Sequence, residues 1–416
     1  MDEARALSQM FGQTTDDLQG GYGLSTNLAL STGSYANYWG DSGDDHALTD
    51  AQMYPLVDVA SRNKDANYFM LTGTHHNPEL GVDIDDSQRE QAFEGLFTHR
   101  WNDEGETVSQ FTDWLSEDLD SDDYQESSRA GRGFAGFMET ITDDDMPEKL
   151  MNTGTHLKEG GNEYQNASFT QYNIELAHSL SDMFDAHVYS FANGDVYDTN
   201  DQFTQGIGQY RHSDGFIQMG TEERATFMQF LMGNDETAVE AAETVDLYHQ
   251  MESATFLGGG ASAETSRGSG TLQGLFDHSL KMESESRYQD LGEQVDREEE
   301  VTGIFVTEAG NLSEKIPVVG TALSKGIEHG KDGIVEAIVD GEFDKTEWSV
   351  RSGNLNWLDG PFETFMRYSE VTWCATVENA WDFVTAYVDE FEDTYETQAE
   401  YLESIEDYVD CGDGRI

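Results

Sequence analysis

The stretch that decides the fold is residues 50–71, DAQMYPLVDVASRNKDANYFML. Apolar side chains recur here every three to four residues, which is the period of an α-helix that buries one face. The polar tetrad Arg62-Asn63-Lys64-Asp65 interrupts this period. We therefore predict two short helices that are joined at this turn.

The same helical period dominates the rest of the chain, so the predicted fold class is all-α. We expect further helices over residues 86–97, 108–119, 168–189 and 221–250, the last divided in two at Gly233-Asn234. Glycine-rich or polar loops are predicted over residues 12–23, 31–45 and 258–270. Residues 187–196 are the best candidate strand, because few other stretches alternate with period two.

These patterns predict a large multi-helix bundle with glycine-rich loops and a long C-terminal helix. Four segments are expected: a loop-rich N-terminal segment (1–50), a helical body (51–257), a helical hairpin region after a glycine-rich break (258–355), and the C-terminal helix (356–416).

The C-terminal helix is predicted from an apolar seam with alternating three- and four-residue spacing. No proline or glycine occurs between Pro361 and Gly412, and such a helix would reach roughly 70 Å. It either packs along the body of the same chain, which we favour, or docks onto another chain. The seam residues that would make this contact are Val377, Trp381, Val384, Val388 and Phe391.

Charge is the most unusual property of the composition. The chain has 83 acidic and 22 basic residues, a formal net charge of −61, and only eight lysines. Such a charge would push a compact fold apart at ordinary ionic strength, but at molar salt the Debye length falls to roughly 3 Å. An acidic surface with scarce lysine is typical of salt-in halophiles, above all archaea. A disordered acidic chain is disfavoured by the 37% of hydrophobic residues.

The same charge limits the partners and the location. It argues against nucleic acid and against anionic membrane surfaces, whereas solvent cations are expected to decorate the carboxylates. The first residues lack the basic and apolar regions of a signal peptide. We expect export to the cell surface or medium by a non-classical route, or else the cytoplasm of a salt-in halophile. Cys374 and Cys411 are either two free thiols or a pair formed if the C-terminus folds back.

Residues 301–343 depart from the acidic background and suggest a helical hairpin around one apolar turn. The turn residues are Ile316, Pro317, Val318, Val319 and Gly320. Pro317 would set a helix start, and the small residues nearby allow close backbone approach. The favoured interpretation is a buried helix–turn–helix. The alternative is a hairpin that inserts into a membrane.

Evidence for catalysis in the sequence is weak, so we predict a non-enzymatic protein without a cofactor. No GxSxG, HExxH, P-loop or dinucleotide motif occurs. The adjacent histidines His75 and His76 are the candidate metal ligands, although a site there would need His46, His99 or His156 as a further ligand. Asp182, Asp185 and His187 could form an acid–base pair.

Several blocks resemble a family of large all-α proteins of actinobacteria that are associated with WXG100-type secretion and polymorphic toxins. The blocks occur in the same order over about residues 50–345. They are residues 54–70 with the Arg62–Asp65 turn and the Tyr68-Phe69 pair, then 94–97, 230–238, 270–275 and the Ile316–Gly320 turn. The chain differs from the family pattern in lacking the prolines of both turns and a Trp-x-Gly hairpin, since Tyr38-Trp39-Gly40 is isolated.

The matching residues belong to turns and packing, so the resemblance implies a context more than an activity. It implies a structural or delivery module of a secreted, toxin-like or secretion-associated protein, with a protein partner or the secretion machinery as its contact. The alternatives are a membrane-inserting, pore-forming protein that uses residues 301–343, and an assembly component of a virus.

Overall fold

The fold is helical throughout the part of the chain that can be described, apart from one short hairpin. In the computed structural model, the described residues are 2–15, 18–39, 47–75, 84–119, 121, 123–143, 145–159, 162–164, 166–193, 217–257 and 266–287. The predicted all-α class is confirmed.

Fourteen helices occur within these residues. They are α1 (Asp2–Phe11), α2 (Tyr22–Trp39), α3 (Asp50–Ser61), α4 (Lys64–Thr72), α5 (Asp86–Thr98), α6 (Glu106–Ser109), α7 (Trp114–Glu117), α8 (Tyr124–Thr142), α9 (Met146–Met151), α10 (Ile174–Ala186), α11 (Val188–Asn193), α12 (Thr221–Leu231), α13 (Asp235–Leu257) and α14 (Ser266–Arg287). Strands β1 (Leu157–Glu159) and β2 (Asn162–Tyr164) pair antiparallel with Leu157 opposite Tyr164, and a 3-10 turn spans Phe169–Gln171.

The chain divides into two compact units. Unit 1 comprises Met1–His187 and Asp198–Thr237, and unit 2 comprises Val188–Tyr197 and Ala238–Ile416. In unit 1, α2 packs against α3, α4 and α5, while α8 packs against α4, α7, α9 and α12. In unit 2, α11 packs against α14.

The helix pair predicted over residues 50–71 is confirmed, and local capping explains where both helices begin and where α4 ends. The side-chain amide oxygen of Gln52 accepts from the backbone N–H of Thr49 at 3.2 Å, at the start of α3. Asn63 accepts from the N–H of Ala66 at 3.1 Å at the start of α4. Gly73 ends α4 with φ of 68°, a left-handed conformation that favours glycine, and its N–H bonds to the Phe69 carbonyl at 2.9 Å.

Helices α2 and α5 cross with their backbones in near contact. A Cβ atom on Gly95 would lie 2.6 Å from the backbone nitrogen of Asn37 in α2, and one on Gly33 would lie 2.8 Å from the carbonyl carbon of Ala92 in α5. Real Cβ atoms do not approach backbone atoms this closely, so only glycine fits at either position. This crossing holds the first half of unit 1 together.

An aromatic core joins α5 to α8, to the 3-10 turn and to α12. Phe93 stacks on Phe97 with ring centroids 4.2 Å apart, and Phe97 lies 6.0 Å from Phe137 and 5.8 Å from Phe169. Phe169 in turn makes an edge contact with Phe230 at 5.3 Å. Each fully buried phenylalanine contributes about 1.5–3 kcal/mol, so this cluster stabilises unit 1 substantially.

Three secondary-structure predictions are corrected by the structure. Residues 31–39 were expected to be loop but complete α2, and residues 188–193 were expected to be a strand but form α11. The single helix predicted over residues 108–119 is two short helices, α6 and α7. The hydroxyl of Ser109 donates to Asp113 at 3.0 Å between them, and such local side-chain bonds compete with a continuous helix.

The predicted segment boundaries also differ from the observed ones. Residues 1–50 contain α1 and α2, so the expected loop-rich N-terminal segment is not what the structure shows. The glycine-rich break expected at residues 258–270 is helical from Ser266 onward. The part of α13 from Ala238 belongs to the same unit as α14, so the unit boundary lies before the break and not at it. Residues 288–416 lie outside the described residues. The long C-terminal helix and most of the hairpin region therefore remain predictions.

Candidate functional site

Arg62 and Asn63 of the α3–α4 turn hold the loop that precedes α2. The Arg62 guanidinium donates to the carbonyls of Thr15 and Leu18, at 2.7 and 3.0 Å, and forms an ion pair with Asp58 at 2.5 Å. Asn63 donates to the carbonyl of Gly20 at 2.9 Å. Both side chains thereby tie the loop before α2 to the start of α4.

The other two residues of the turn connect it to α7 and α8. The ammonium group of Lys64 lies 2.8 Å from each carboxylate oxygen of Asp118. Arg129 of α8 lies 3.4 Å from Asp65 and 3.5 Å from Asp118, with its guanidinium 5.6 Å from the centre of the Trp114 ring. All four residues of the predicted turn are therefore engaged in contacts that hold unit 1 together.

His75, one of the two predicted metal ligands, lies in an aromatic cluster. Its Nδ1 is 2.5 Å from the Tyr22 hydroxyl, and its ring stacks on Phe69 with centroids 4.6 Å apart. Burial raises the pKa of Tyr22, a hydrogen bond with Thr26 lowers it in part, and the charge of Asp65 raises it further. The phenol therefore stays protonated, and it shares a hydrogen bond with the imidazole.

The second predicted ligand, His76, lies outside the described residues, as does His46. Within the described ranges, no group of three or more His, Cys, Asp or Glu side chains is arranged to hold a metal ion. His156 is exposed, and His99 bonds to Asp50 and not to His75. The metal hypothesis for His75 and His76 stays a prediction.

The pair of Asp50 and His99 is a buried polar contact that the sequence did not predict. One carboxylate oxygen of Asp50 lies 3.0 Å from Nε2 of His99, and the other accepts the N–H of Asn102 at 2.9 Å. Burial alone would raise the pKa of Asp50, but the hydrogen bonds from His99 and Asn102 outweigh it and lower the pKa. The pair thus fixes the first residue of α3 to the turn that follows α5.

Asn173 secures the same turn from the other side. Its amide nitrogen donates to the carbonyls of Phe97 and His99, both at 3.0 Å, and its amide oxygen accepts the N–H of Trp101 at 3.2 Å. The His99 ring meets the Trp101 ring edge-on, with centroids 4.5 Å apart. This network satisfies backbone groups of the turn that follows α5.

The predicted acid–base pair at the end of α10 does not form. His187 is 1% exposed and stacks on Phe134 with centroids 4.1 Å apart, while Asp182 and Asp185 are exposed. Neither ring nitrogen of His187 has a hydrogen-bond partner among the described residues. Burial lowers the pKa of His187 to about 3. The imidazole is therefore a neutral part of the core at neutral pH.

The exposed face of α2 is the feature that sequence reasoning missed. It carries Leu24, Asn27, Ser31 and Tyr38, all exposed, with Leu24 at 45% and Tyr38 at 73%. Residues 18–40 contain no acidic or basic residue, which is the longest such run in the chain. The uncharged run could have indicated this face from the sequence. The loop predicted over residues 31–45 assigned its second half to a different element.

The remaining predicted site residues fall on other parts of the chain. The turn residues Ile316–Gly320, the seam from Val377 to Phe391, and both cysteines lie outside the described residues. Across the stretches that are described, no helix is both long enough and apolar enough to cross a membrane.

The comparisons with known proteins agree with an all-α chain. A family model described as a TPR repeat domain matches residues 1–114, about a quarter of the sequence. The segment is thus similar to a class of helical-repeat proteins, and it includes α2, the α3–α4 turn and the Asp50–His99 pair. No curated protein and no solved structure matches the chain.

Proposed function

We propose that this chain is a non-enzymatic, protein-binding helical module of a secreted, toxin-like or secretion-associated protein from an extreme halophile. The observation that carries the proposal is the similarity of residues 1–114 to TPR repeats. Stacked helical repeats generally present extended surfaces to protein partners. Two histidines of this segment that were candidates for chemistry support the proposal, because His75 contacts Tyr22 and His99 contacts Asp50 within the same unit.

The charge of the segment constrains how a partner would bind. Residues 1–114 contain twenty acidic and five basic residues. Arg62, Lys64 and Arg89 are engaged with carboxylates or backbone carbonyls of the same unit. At molar salt, screening over a few ångströms leaves little long-range attraction. We therefore expect the partner to be recognised by apolar contacts and neutral hydrogen bonds.

Exposed apolar side chains in residues 1–114 offer such contacts. Met10 on α1 is 55% exposed and Leu18, in the loop before α2, is 49% exposed. The cell surface or the medium remains the proposed location, with the cytoplasm of a salt-in halophile as the alternative. The membrane-inserting and virus-assembly functions rest on residues 301–343 and 356–416, and no contact among the described residues bears on them.

A binding titration tests the proposal. The purified chain is titrated in molar KCl, by calorimetry, with each small helical protein encoded beside its gene. We expect at least one to bind, and Met10→Asp or Leu18→Asp to weaken that binding about tenfold. Tyr124→Asp changes a large side chain outside residues 1–114 that is 63% exposed, and it should leave the binding unchanged. Dissociation constants weaker than about 100 µM for every candidate would overturn the proposal.

A further inference from the structure

His187 combines nearly complete burial with two polar atoms that have no partner. The residue is 1% exposed, and neither ring nitrogen forms a hydrogen bond within the described part of the chain. One nitrogen of a neutral imidazole is a donor and the other is an acceptor, so both kinds of group are left unsatisfied. An unpaired buried polar group costs stability, and the ring is therefore held in place by packing and not by hydrogen bonds.

This packing connects the end of α10 to α8. His187 directly follows the last residue of α10 and stacks on Phe134 of α8, with the ring planes 9° apart and the centroids 4.1 Å apart. Phe227 of α12 meets Phe134 edge-on at 5.8 Å. Both phenylalanines are fully buried. The imidazole thus stacks on an apolar side chain that is shielded from water.

The charged groups of the helices around this contact do not balance a charge on the imidazole. Arg224 of α12 is fully buried, but it is a cation, and it bonds to the Gly220 carbonyl and the Thr221 hydroxyl, both at 3.2 Å. The other ionisable residues of α10 and α12 are exposed or half-buried, namely Glu175, His178, Asp182, Asp185, Glu222 and Glu223. Those of α8 are also exposed or half-buried, namely Tyr124, Glu126, Arg129, Arg132 and Glu139.

We propose that the contact between His187 and Phe134 is a pH switch, in which protonation of the imidazole releases the last turn of α10 from α8. An imidazolium has two N–H donors and a charge, and a site with neither an acceptor nor a counter-charge cannot hold it, so the ring must move into water. The end of a helix can open without the rest of the domain. The N–H of His187, which donates to the Met183 carbonyl at 3.1 Å, loses that bond on release.

The direction of the switch follows from the two environments of the imidazole. Burial alone lowers the pKa of His187 to about 3 in the closed state, whereas a histidine in water has a pKa of about 6.5. The closed state is therefore fully stable above about pH 6.5 and loses stability as the pH falls from there toward 3. Between pH 7 and pH 5, the ratio of released to closed molecules should rise about 25-fold.

Hydrogen exchange of the full chain, followed by mass spectrometry in molar KCl at pH 7 and pH 5, tests the proposal. After correction for the intrinsic exchange rates, protection of residues 183–187 should fall about 25-fold in the wild type, while protection of α5 stays constant. His187→Phe keeps an aromatic ring that cannot take up a proton, so the decrease should disappear. His187→Leu should act in the same way and serves if the larger ring does not fit. His156→Phe removes an exposed histidine and should retain the decrease.

Three results would overturn the proposal. The first is unchanged protection of residues 183–187 in the wild type, and the second is an equal decrease in His187→Phe or His187→Leu. The third is a decrease in α5 as large as that in α10, because the unit would then unfold as a whole and the release would not be local. The experiment needs no partner, so its failure is distinguishable from failure of the partner titration.

Discussion

Helices α2 and α3 are consecutive in the chain and pack against each other, but they are held by opposite kinds of interaction. Helix α2 contains no charged residue and meets α5 at the glycine crossing. Helix α3 is fixed at its first residue by the Asp50–His99 pair and at its end by the ion pair of Arg62 with Asp58, while Lys64 at the start of α4 pairs with Asp118. In this pair of helices, charged groups act at the ends of α3, whereas close packing acts along the length of α2.

The largest expected effect is on the α2–α5 crossing. Gly95→Ala places a Cβ against the backbone of α2, which must move away, so we expect a loss of about 3 kcal/mol in the free energy of unfolding. Gly23→Ala is the matched control, because a Cβ there meets nothing within 4 Å. It should be neutral or stabilising by up to about 1 kcal/mol. Denaturant unfolding in molar KCl measures both, and equal values would refute the crossing.

The start of α3 should show a smaller effect that depends on pH. Asp50→Ala leaves His99 and the N–H of Asn102 without their acceptor in a buried site, which we expect to cost about 2 kcal/mol at pH 7. The lowered pKa of Asp50 means that the unfolded state takes up the proton first as pH falls. The carboxylate therefore contributes its stability above its unfolded pKa of about 4 and loses it as pH falls through the folded pKa.

The measurement for Asp50 is a pair of unfolding curves at several pH values. The difference between wild type and Asp50→Ala should shrink below about pH 4. Glu117→Ala, which removes an exposed acid on α7, should stay within about 0.5 kcal/mol of wild type. A difference for Asp50→Ala that does not vary with pH would mean that the ionised carboxylate is not what stabilises α3.

The smallest effect is expected at the α3–α4 turn. Lys64→Met removes a partly exposed ion pair, and Asp118 keeps Arg129 at 3.5 Å, so the expected loss is below about 1 kcal/mol. Salt screens exposed ion pairs, so the loss in the free energy of unfolding should be smaller in saturated KCl than in about 1 M KCl. Chemical unfolding at both salt concentrations measures it. A loss as large as that of Gly95→Ala would show that charge, and not packing, dominates this part of the molecule.

The sequence predicted helix positions correctly where the apolar period and the capping residues indicated the same helix ends. Helices α3, α4 and α5 and the division at Gly233-Asn234 follow from that agreement. Helix α2 was not predicted, because Ser, Thr, Gly and Asn are weak helix formers and their runs before residue 24 and after residue 30 resemble loops. Its burial against three helices outweighs that local preference.

The buried polar pairs were missed for a different reason. Asp50 and His99 are 49 residues apart in the sequence, and nothing in the local pattern of either residue points to the other. His187 and its neighbouring acids illustrate the converse case. Their proximity in the sequence suggested an acid–base pair, but the end of α10 directs the imidazole onto Phe134 while the acids face solvent.

The sequence by itself determined the helical class, the positions of α3, α4, α5, α10 and the α12–α13 pair, and the acidic composition, because these depend on local periodicity and on residue content. Only the tertiary structure decided which groups meet. It placed Gly33 and Gly95 at one crossing, Asp50 beside His99, and an uncharged stripe of α2 toward solvent. These arrangements depend on contacts between residues far apart in the chain, and close packing selects them only once the helices are assembled.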